Sequence, residues 1–362
     1  MTPRLPQVMR PIGRVVLAAG LMLATTLSQG RATLAAAPAG ADGNLTACRA
    51  VRWLHTQQFP DGSFGLLLPN GTAVPSASVT ADAVYVLALL GENPAGPAWT
   101  RGGHSALDAL ASLTATFVYS DTGHAGEAGK VARAVALAGG NPRDFGGFDL
   151  VSIIQAAYDP ATGRYYPKLL YRHTIAMEGL LRSGQPVPPA AVTALLHAQL
   201  ADGGWSWSFE LLQSDVDTTG QVIQVLAGQA GQSASGAFGP AAAYLASVQA
   251  AEGGWGIAFP LEPNPPPPHL PSPNANSTAL AVGGLVAAGQ DPQAPPFEKN
   301  GRGAMDNLLA FQEASGAFRY KLEPTKEEYR LIATLDALST LALRLGQPPV
   351  CSFIYLPTLL QK

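Results

Sequence analysis

Charge is scarce in this sequence: Asp, Glu, Lys and Arg make up 13% of its 362 residues, about half the ~25% of an average protein. With 22 basic against 25 acidic side chains and no Lys/Arg cluster, it has no basic stripe to displace phosphate counterions. That excludes a nucleic-acid footprint. Cysteine is nearly absent, and the pair present, Cys48 and Cys351, can build neither a disulfide scaffold nor a four-thiolate zinc site. Long apolar runs are missing too, since Val15 to Leu27 falls short of the ~20 residues that span a bilayer. What is abundant is apolar: 47% of the chain, enough burial to offset chain entropy and exclude disorder.

The start of the chain has the order of an export signal. Arg4, Arg10 and Arg14 precede that apolar run, small residues follow, and Ala39-Gly40-Ala41 offers a cleavage site. Residues 1–41 are therefore expected to be a signal peptide and the rest a secreted or cell-envelope protein. Two readings of Cys48 remain open. Leu45-Thr46-Ala47-Cys48 has the form of a lipobox, which would make the chain a lipoprotein, although small and polar residues separate it from the apolar run. Alternatively, a Cys48 to Cys351 disulfide would join the two ends of the fold.

A repeat organises the remainder. Gln, three residues, Gly, one residue and an aromatic recur as Gln58-Gly62-Phe64, Gln199-Gly203-Trp205, Gln249-Gly253-Trp255 and Gln312-Gly316-Phe318. Asp159-Gly163-Tyr165 keeps the spacing, and a degenerate copy falls around Tyr119 to Gly123. Each copy sits between two stretches with helical periodicity, as in Leu331, Leu335, Leu338, Leu341 and Leu345. The preceding helices are expected at Leu45–Gln57, His104–Phe117, Leu150–Tyr158, Pro189–Leu200, Pro240–Gln249 and Ala304–Gln312. The following ones are expected at Ser78–Leu90, Gly126–Ala138, Leu170–Arg182, Asp215–Leu226, Ser277–Ala288 and Arg330–Leu345. Six helical hairpins in register predict an all-α (α/α)6 barrel over residues 45–348, with a tail at 349–362. The motif's Gly closes the turn, its Gln bonds backbone at a helix end, and its aromatic staples neighbouring hairpins.

The Gln-x3-Gly-x-Trp copies resemble the QW repeats of terpenoid cyclases, and the series is similar to the α-α toroid superfamily of cyclases, protein prenyltransferase β-subunits and cobalamin carriers. The cyclase resemblance implies acid chemistry at Ser214-Asp215-Val216-Asp217-Thr218-Thr219, which is similar to the Asp-x-Asp-Asp-Thr motif of class II enzymes. There an Asp held protonated starts carbocation formation. Asp217 would be that acid and Asp215 its neighbour, while Thr218 replaces the third Asp. A capping box of Ser214 with Asp217 explains the same segment structurally. Ala125 to Lys130, Asn141 to Gly147 and Asp217-Thr218-Thr219 resemble the cobalamin carriers. Those carriers also tie their first helix to the barrel end by a disulfide, but the smaller domain that completes their corrin site has no counterpart in the short C-terminal tail.

Asp82, Glu127, Glu178, Asp217 and Asp336 lie on expected inner helices and could supply the two carboxylates of a glycoside hydrolase. His173 has no acidic or thiol partner at ligand spacing, so no metal site is expected, and no particular cofactor is implied. Insertions at Leu66–Ala77, Ser206–Gln213, Phe259–Ala275 and Lys321–Tyr329 all fall at one mouth of the ring, where binding faces of repeat proteins gather. Asp82, Glu127, His173, Glu178, Trp207, Thr218 and Tyr320 are the ligand-binding candidates, forming a polar rim over an apolar barrel. The expected partner is an amphipathic or isoprenoid-like small molecule, or an extracellular protein, captured at this mouth. A reduced class II cyclase is the alternative.

Overall fold

The computed structural model describes residues 41–349 and 351, apart from 69, 120–123, 230–231, 257–269 and 323–326. The expected signal segment up to residue 40, the degenerate repeat copy, most of the proline-rich insertion and the tail beyond Cys351 lie outside the described residues.

Twelve α-helices are present among the described residues: α1 (Ala41–Thr56), α2 (Ala77–Leu89), α3 (Ala106–Val118), α4 (His124–Leu137), α5 (Leu150–Ala156), α6 (Leu170–Arg182), α7 (Pro189–His197), α8 (Val216–Ala227), α9 (Phe238–Ser247), α10 (Ala275–Ala287), α11 (Ala304–Ala310) and α12 (Arg330–Leu345). Two short antiparallel hairpins, β1 (Gly65–Leu67) with β2 (Ala73–Pro75) and β3 (Thr100–Arg101) with β4 (His104–Ser105), decorate the loops. The even-numbered helices form a closed ring, α2 against α4, α6, α8, α10 and α12 in turn and α12 back against α2. The odd-numbered helices pack outside it, with α1 against α12, α3 against α2 and α4, and α5 against α4 and α6. This is the predicted (α/α)6 architecture. The outer helices are shorter than periodicity suggests: α5, α7 and α11 stop two or three residues early, at Ala156, His197 and Ala310. There the chain bends into the repeat turn, and the turn's hydrogen bonds replace the last helical ones.

The repeat turn explains why hairpins stack in register. In each complete copy the Gln side chain donates to its own turn Gly carbonyl and to the next hairpin: Gln58 to Gly62 and Trp99, Gln199 to Gly203 and Ala237, Gln249 to Gly253 and Phe297. Gln312 bonds Gly316 and, across 266 residues, the Thr46 carbonyl of α1, so the last repeat closes onto the first. Gly203 has φ 93° and packs against the Pro240 carbonyl, a position with neither the backbone freedom nor the room for a side chain. Trp205 and Trp255 are fully buried and donate their indole N–H to Leu195 and Leu245 at 2.7 and 2.8 Å. A disulfide between Cys48 in α1 and Cys351 after α12, with Cα atoms 5.3 Å apart, reinforces that closure. The thiol needed for the lipoprotein alternative is thereby bonded within the fold.

Two pairs of inner helices approach backbone to backbone. A side-chain carbon on Gly179 of α6 would meet the Gly129 Cα of α4 at 2.5 Å, and one on Gly284 of α10 would meet the Gly220 Cα of α8 at 2.8 Å. Glycines thus join α4 to α6 and α8 to α10.

Candidate functional site

A buried hydroxyl or imidazole on each of five inner helices sets a common register. Thr80, Thr219, Thr278 and Thr334 accept the backbone N–H of Phe64, Trp205, Trp255 and Phe318 at 2.9–3.1 Å. His173 does the same for Tyr165 through Nδ1 at 3.1 Å, while Nε2–H donates to the Ala191 carbonyl at 3.2 Å. Desolvation pushes its pKa down to about 4. Both ring nitrogens of this ligand candidate are therefore engaged by backbone, and the group is neutral.

Four residues before these positions stand the caps. Ser76, Asp215 and Asn274 accept from the amides of Val79, Thr218 and Ser277. The expected capping box of Ser214 with Asp217 is not formed: Ser214 donates to Asp202 at 2.7 Å, and Asp215 takes the cap because α8 begins at Val216. Thr218 serves that cap through its amide. Two residues after each cap the chain turns toward the ring axis, at Ser78, Asp217 and Asn276. Ser78 accepts from Lys130 of α4 at 2.7 Å, and Asn276 donates to Asp336 of α12 at 2.5 Å.

Deeper along the axis lies an ion network rather than the apolar interior anticipated from composition. Lys130 pairs with Asp82 at 2.7 Å, and Arg133 bridges Asp82 at 2.9 Å and Glu178 at 2.5 Å. The Arg133 guanidinium lies 4.6 Å from the centre of the Tyr85 ring, whose hydroxyl donates to Glu178 at 3.0 Å and accepts from Arg182 at 3.1 Å. These groups occupy positions two, five and nine residues past the register position, spacings that return a helix to the same face. The expectation failed because a closed ring of six helices has an inner face that helical periodicity alone cannot separate from a packed apolar one. Sequence reading also missed Asn276, Lys130 and Arg133. Counting back from Thr278 would have found Asn276, whereas α4 carries no register Thr from which to count to Lys130 and Arg133.

Asp215 and Asp217 at the mouth end, and Asp336 deeper, hold their protons unusually well. Desolvation raises Asp217 to about 6, opposed by a hydrogen bond from Ser277. Desolvation and then the Asp217 charge raise Asp215 to about 7; desolvation and then Asp82 raise Asp336 to about 7. Each remains partly accessible to solvent. Tyr320 stands beside them, its hydroxyl pushed up to about 12 by burial and by Asp217. Asp217 Oδ1, Asp215 Oδ2, Asn276 Oδ1 and Trp207 Nε1 are buried without a hydrogen-bond partner among the described residues.

The structure thus gathers Asp215, Asp217 and Tyr320 at one end of the ring, with Trp207 on the loop leading into α8 and Asp82 and Asp336 deeper. Glu127 is held apart, paired with Arg172 at 2.6 Å, and Glu178 lies toward the opposite end. No cluster of three or more potential metal-binding His, Cys, Asp or Glu residues occurs among the described residues, and no helix there is long and apolar enough to cross a membrane.

No family profile and no curated protein sequence matches the chain. Solved structures do. The type II terpene cyclase MstE from Scytonema aligns over 84% of this chain and 98% of its own with TM-score 0.56 at 15% identity. A protein from Actinoplanes aligns over 84% and 99% with TM-score 0.56 at 17% identity, and a polysaccharide lyase over 89% and 99% with TM-score 0.55 at 12% identity. The fold is the α-α toroid that terpenoid cyclases share. At such identities the likeness concerns the fold, which hosts unrelated chemistries.

Proposed function

We propose that this chain is an exported binding module that captures an amphipathic small molecule at the mouth of the toroid. The observation that carries the reading is the set of unpartnered, buried polar atoms there: Asp217 Oδ1, Asp215 Oδ2, Asn276 Oδ1 and Trp207 Nε1. Buried polar groups ordinarily have partners, and those without one mark strain or a ligand position. Trp207 Nε1 donates, Asp215 donates when it carries its proton, and Asn276 Oδ1 accepts; a hydroxyl head group, which both accepts and donates, matches them. Exposed Leu211, Leu212, Leu322 and Tyr329 on the mouth loops offer apolar surface to the rest of such a molecule. Arg133, Tyr85 and Glu178 put charge and polar groups on the axis below, so the loops match a hydrocarbon tail better than the ring centre does.

A second reading, acid chemistry at Asp217, is favoured by that residue's raised pKa of about 6 together with its free Oδ1. One MstE structure holds geranylgeranyl dihydroxybenzoate, named as that enzyme's substrate, a molecule with a polar head on an isoprenoid tail. Titrating the full exported chain with geranylgeraniol under native mass spectrometry tests both readings. Binding that Asp217→Asn and Asn276→Ala each weaken, with the probe recovered unchanged, supports capture. Recovery of a cyclised isomer from the wild type and not from Asp217→Asn supports catalysis. Failure of the probe to bind, or equal binding by all three proteins, overturns the assignment of this mouth.

A further inference from the structure

The opposite end of the ring carries a cavity that the mouth does not use. It is a half-open recess of about 230 Å³ between α6, α8, α10 and α12, lined by Glu178, Leu181, Arg182, Gln224, Val225, Gly228, Ala287 and Leu343. Its existence follows from an asymmetry in the sequence. At the positions five and nine residues past the register site, α2, α4 and α6 carry Tyr85, Arg133, Glu178 and Arg182, whereas α8 and α10 carry Gln224, Gly228, Gly283 and Ala287. Large side chains fill one half of the axis, and small residues leave the other half open. Gly283 is part of the device, because a side-chain carbon there would meet the Gln224 amide at 3.0 Å. Glycine contacts join α4 to α6 and α8 to α10, so the seam between α6 and α8 is where space is left.

We propose that this cavity is a second ligand site, which binds a short-chain carboxylate with its anionic group on Arg182 and its alkyl chain against Leu181, Val225, Ala287 and Leu343. Charge along the axis supports an anion. Lys130 and Arg133 each lie within 3 Å of a carboxylate, Asp82 or Glu178, while the Arg182 guanidinium stands 3.9 Å from Glu178 and donates to the neutral Tyr85 hydroxyl. Of these three cations Arg182 is the least closely paired, and it is the one at the cavity. A guanidinium offers five donors in a planar fork that fits a carboxylate two bonds at a time. Arg182 is about a third exposed, which leaves part of that fork accessible. Among the described residues Gln224 Nε2 makes one long 3.3 Å bond, to the Gly220 carbonyl, which leaves its second N–H as a further donor. The volume falls below the ~300–1,000 Å³ of pockets that take drug-sized ligands, hence a short acid.

Hexanoate is the probe, followed on the full chain by saturation-transfer NMR and calorimetry, with hexan-1-ol, hexylamine and acetate as controls. Hexanoate should bind more tightly than all three. Arg182→Gln should weaken it about tenfold, ~1.4 kcal/mol, and Arg182→Lys less, because charge is kept while the fork is lost. Ala287→Leu, which leaves Arg182 intact and adds carbon into the cavity, should weaken hexanoate similarly. Hexan-1-ol binding as tightly as hexanoate, or hexanoate binding unchanged in both Arg182→Gln and Ala287→Leu, overturns the proposal. So does an absence of hexanoate binding to the wild type.

Discussion

Removing the ring's covalent closure by replacing both Cys48 and Cys351 with Ser tests how the toroid is held together. The bonded residues are 303 positions apart, so the cross-link forbids the unfolded chain almost all separations of its ends. The chain-entropy relation for a loop of that length gives about 5 to 6 kcal/mol. That figure is an upper value, because strain in the native state and residual structure in the unfolded chain both reduce it. The double variant should still fold, since closure does not depend on the disulfide alone: Gln312 bonds the Thr46 carbonyl, Gly316 packs on the Arg49 carbonyl, and α1 packs on α12. Equilibrium urea unfolding, read by far-ultraviolet circular dichroism, converts the stabilisation into a midpoint. With a slope of about 3 kcal/mol per molar, the double variant should unfold roughly 2 M earlier. The wild type in reductant should approach the variant, and alkylation should then detect two thiols. Coincident midpoints for oxidised wild type and variant, with equal slopes, would refute the reasoning.

Other consequences are independent of it. Gly129→Ala places a methyl 2.6 Å from the Ile175 carbonyl and 2.8 Å from the Ala176 Cα. The α4–α6 contact must spread at a cost of about 1–3 kcal/mol, measurable by urea unfolding, whereas the same change at exposed Gly239, with nothing within 4 Å of the added methyl, should not show this loss. His173→Thr should fold normally because it reproduces the acceptor of the other repeats, while His173→Leu leaves the buried Tyr165 amide unpaired and should lose about 1–3 kcal/mol. His173 has its pKa depressed to about 4, so its contribution is complete above pH ~6.5 and lost as pH falls toward 4. The wild type should therefore lose stability over that acid range, and His173→Thr should lose less. Asp336 has the opposite sign. Its pKa rises from 3.8 to about 7, so its contribution is complete below pH ~4 and disappears as pH rises through 7, with a ceiling of about 4 kcal/mol. Asp336→Asn should flatten the stability profile between pH 5 and 8, and an unaltered profile would remove the cause assigned to it.

How much was legible beforehand depended on whether the deciding interaction was local. The repeat Gln, Gly and aromatic were readable because each works within its own turn or one hairpin away: Gln249 reaches the adjacent Gly253 carbonyl and then Phe297. The boundaries of α6 and α12 also agree with the sequence reading, since the periodic apolar residues run to the last turn. The cap of α8 was misplaced by one residue, because Ser214 and Asp215 are both good capping residues and Ser214 is drawn away by Asp202, twelve residues back. The equivalence of His173 to Thr80, Thr219, Thr278 and Thr334 emerged only once their acceptor roles were superposed on the helices.

By itself the sequence determined the class of the molecule. Six self-similar units with helical period and a shared turn must stack, and too little charge is present to solvate twelve separate helices, so the apolar faces pack together in an all-α ring. It also supplied the chemical inventory, Asp215 and Asp217 beside Thr218. Only the tertiary structure decided what faces the axis. An inner helix of a closed ring is covered on both sides, so position along the chain does not distinguish Asp82 and Arg133 inside the ring from a solvated ion pair. The carboxylates of α8 and α12 affect one another only because ring closure brings helices more than a hundred residues apart to one end. The cavity at the other end is settled in the same way: Gly228, Gly283 and Ala287 are unremarkable in sequence, and they become a space only opposite Arg182.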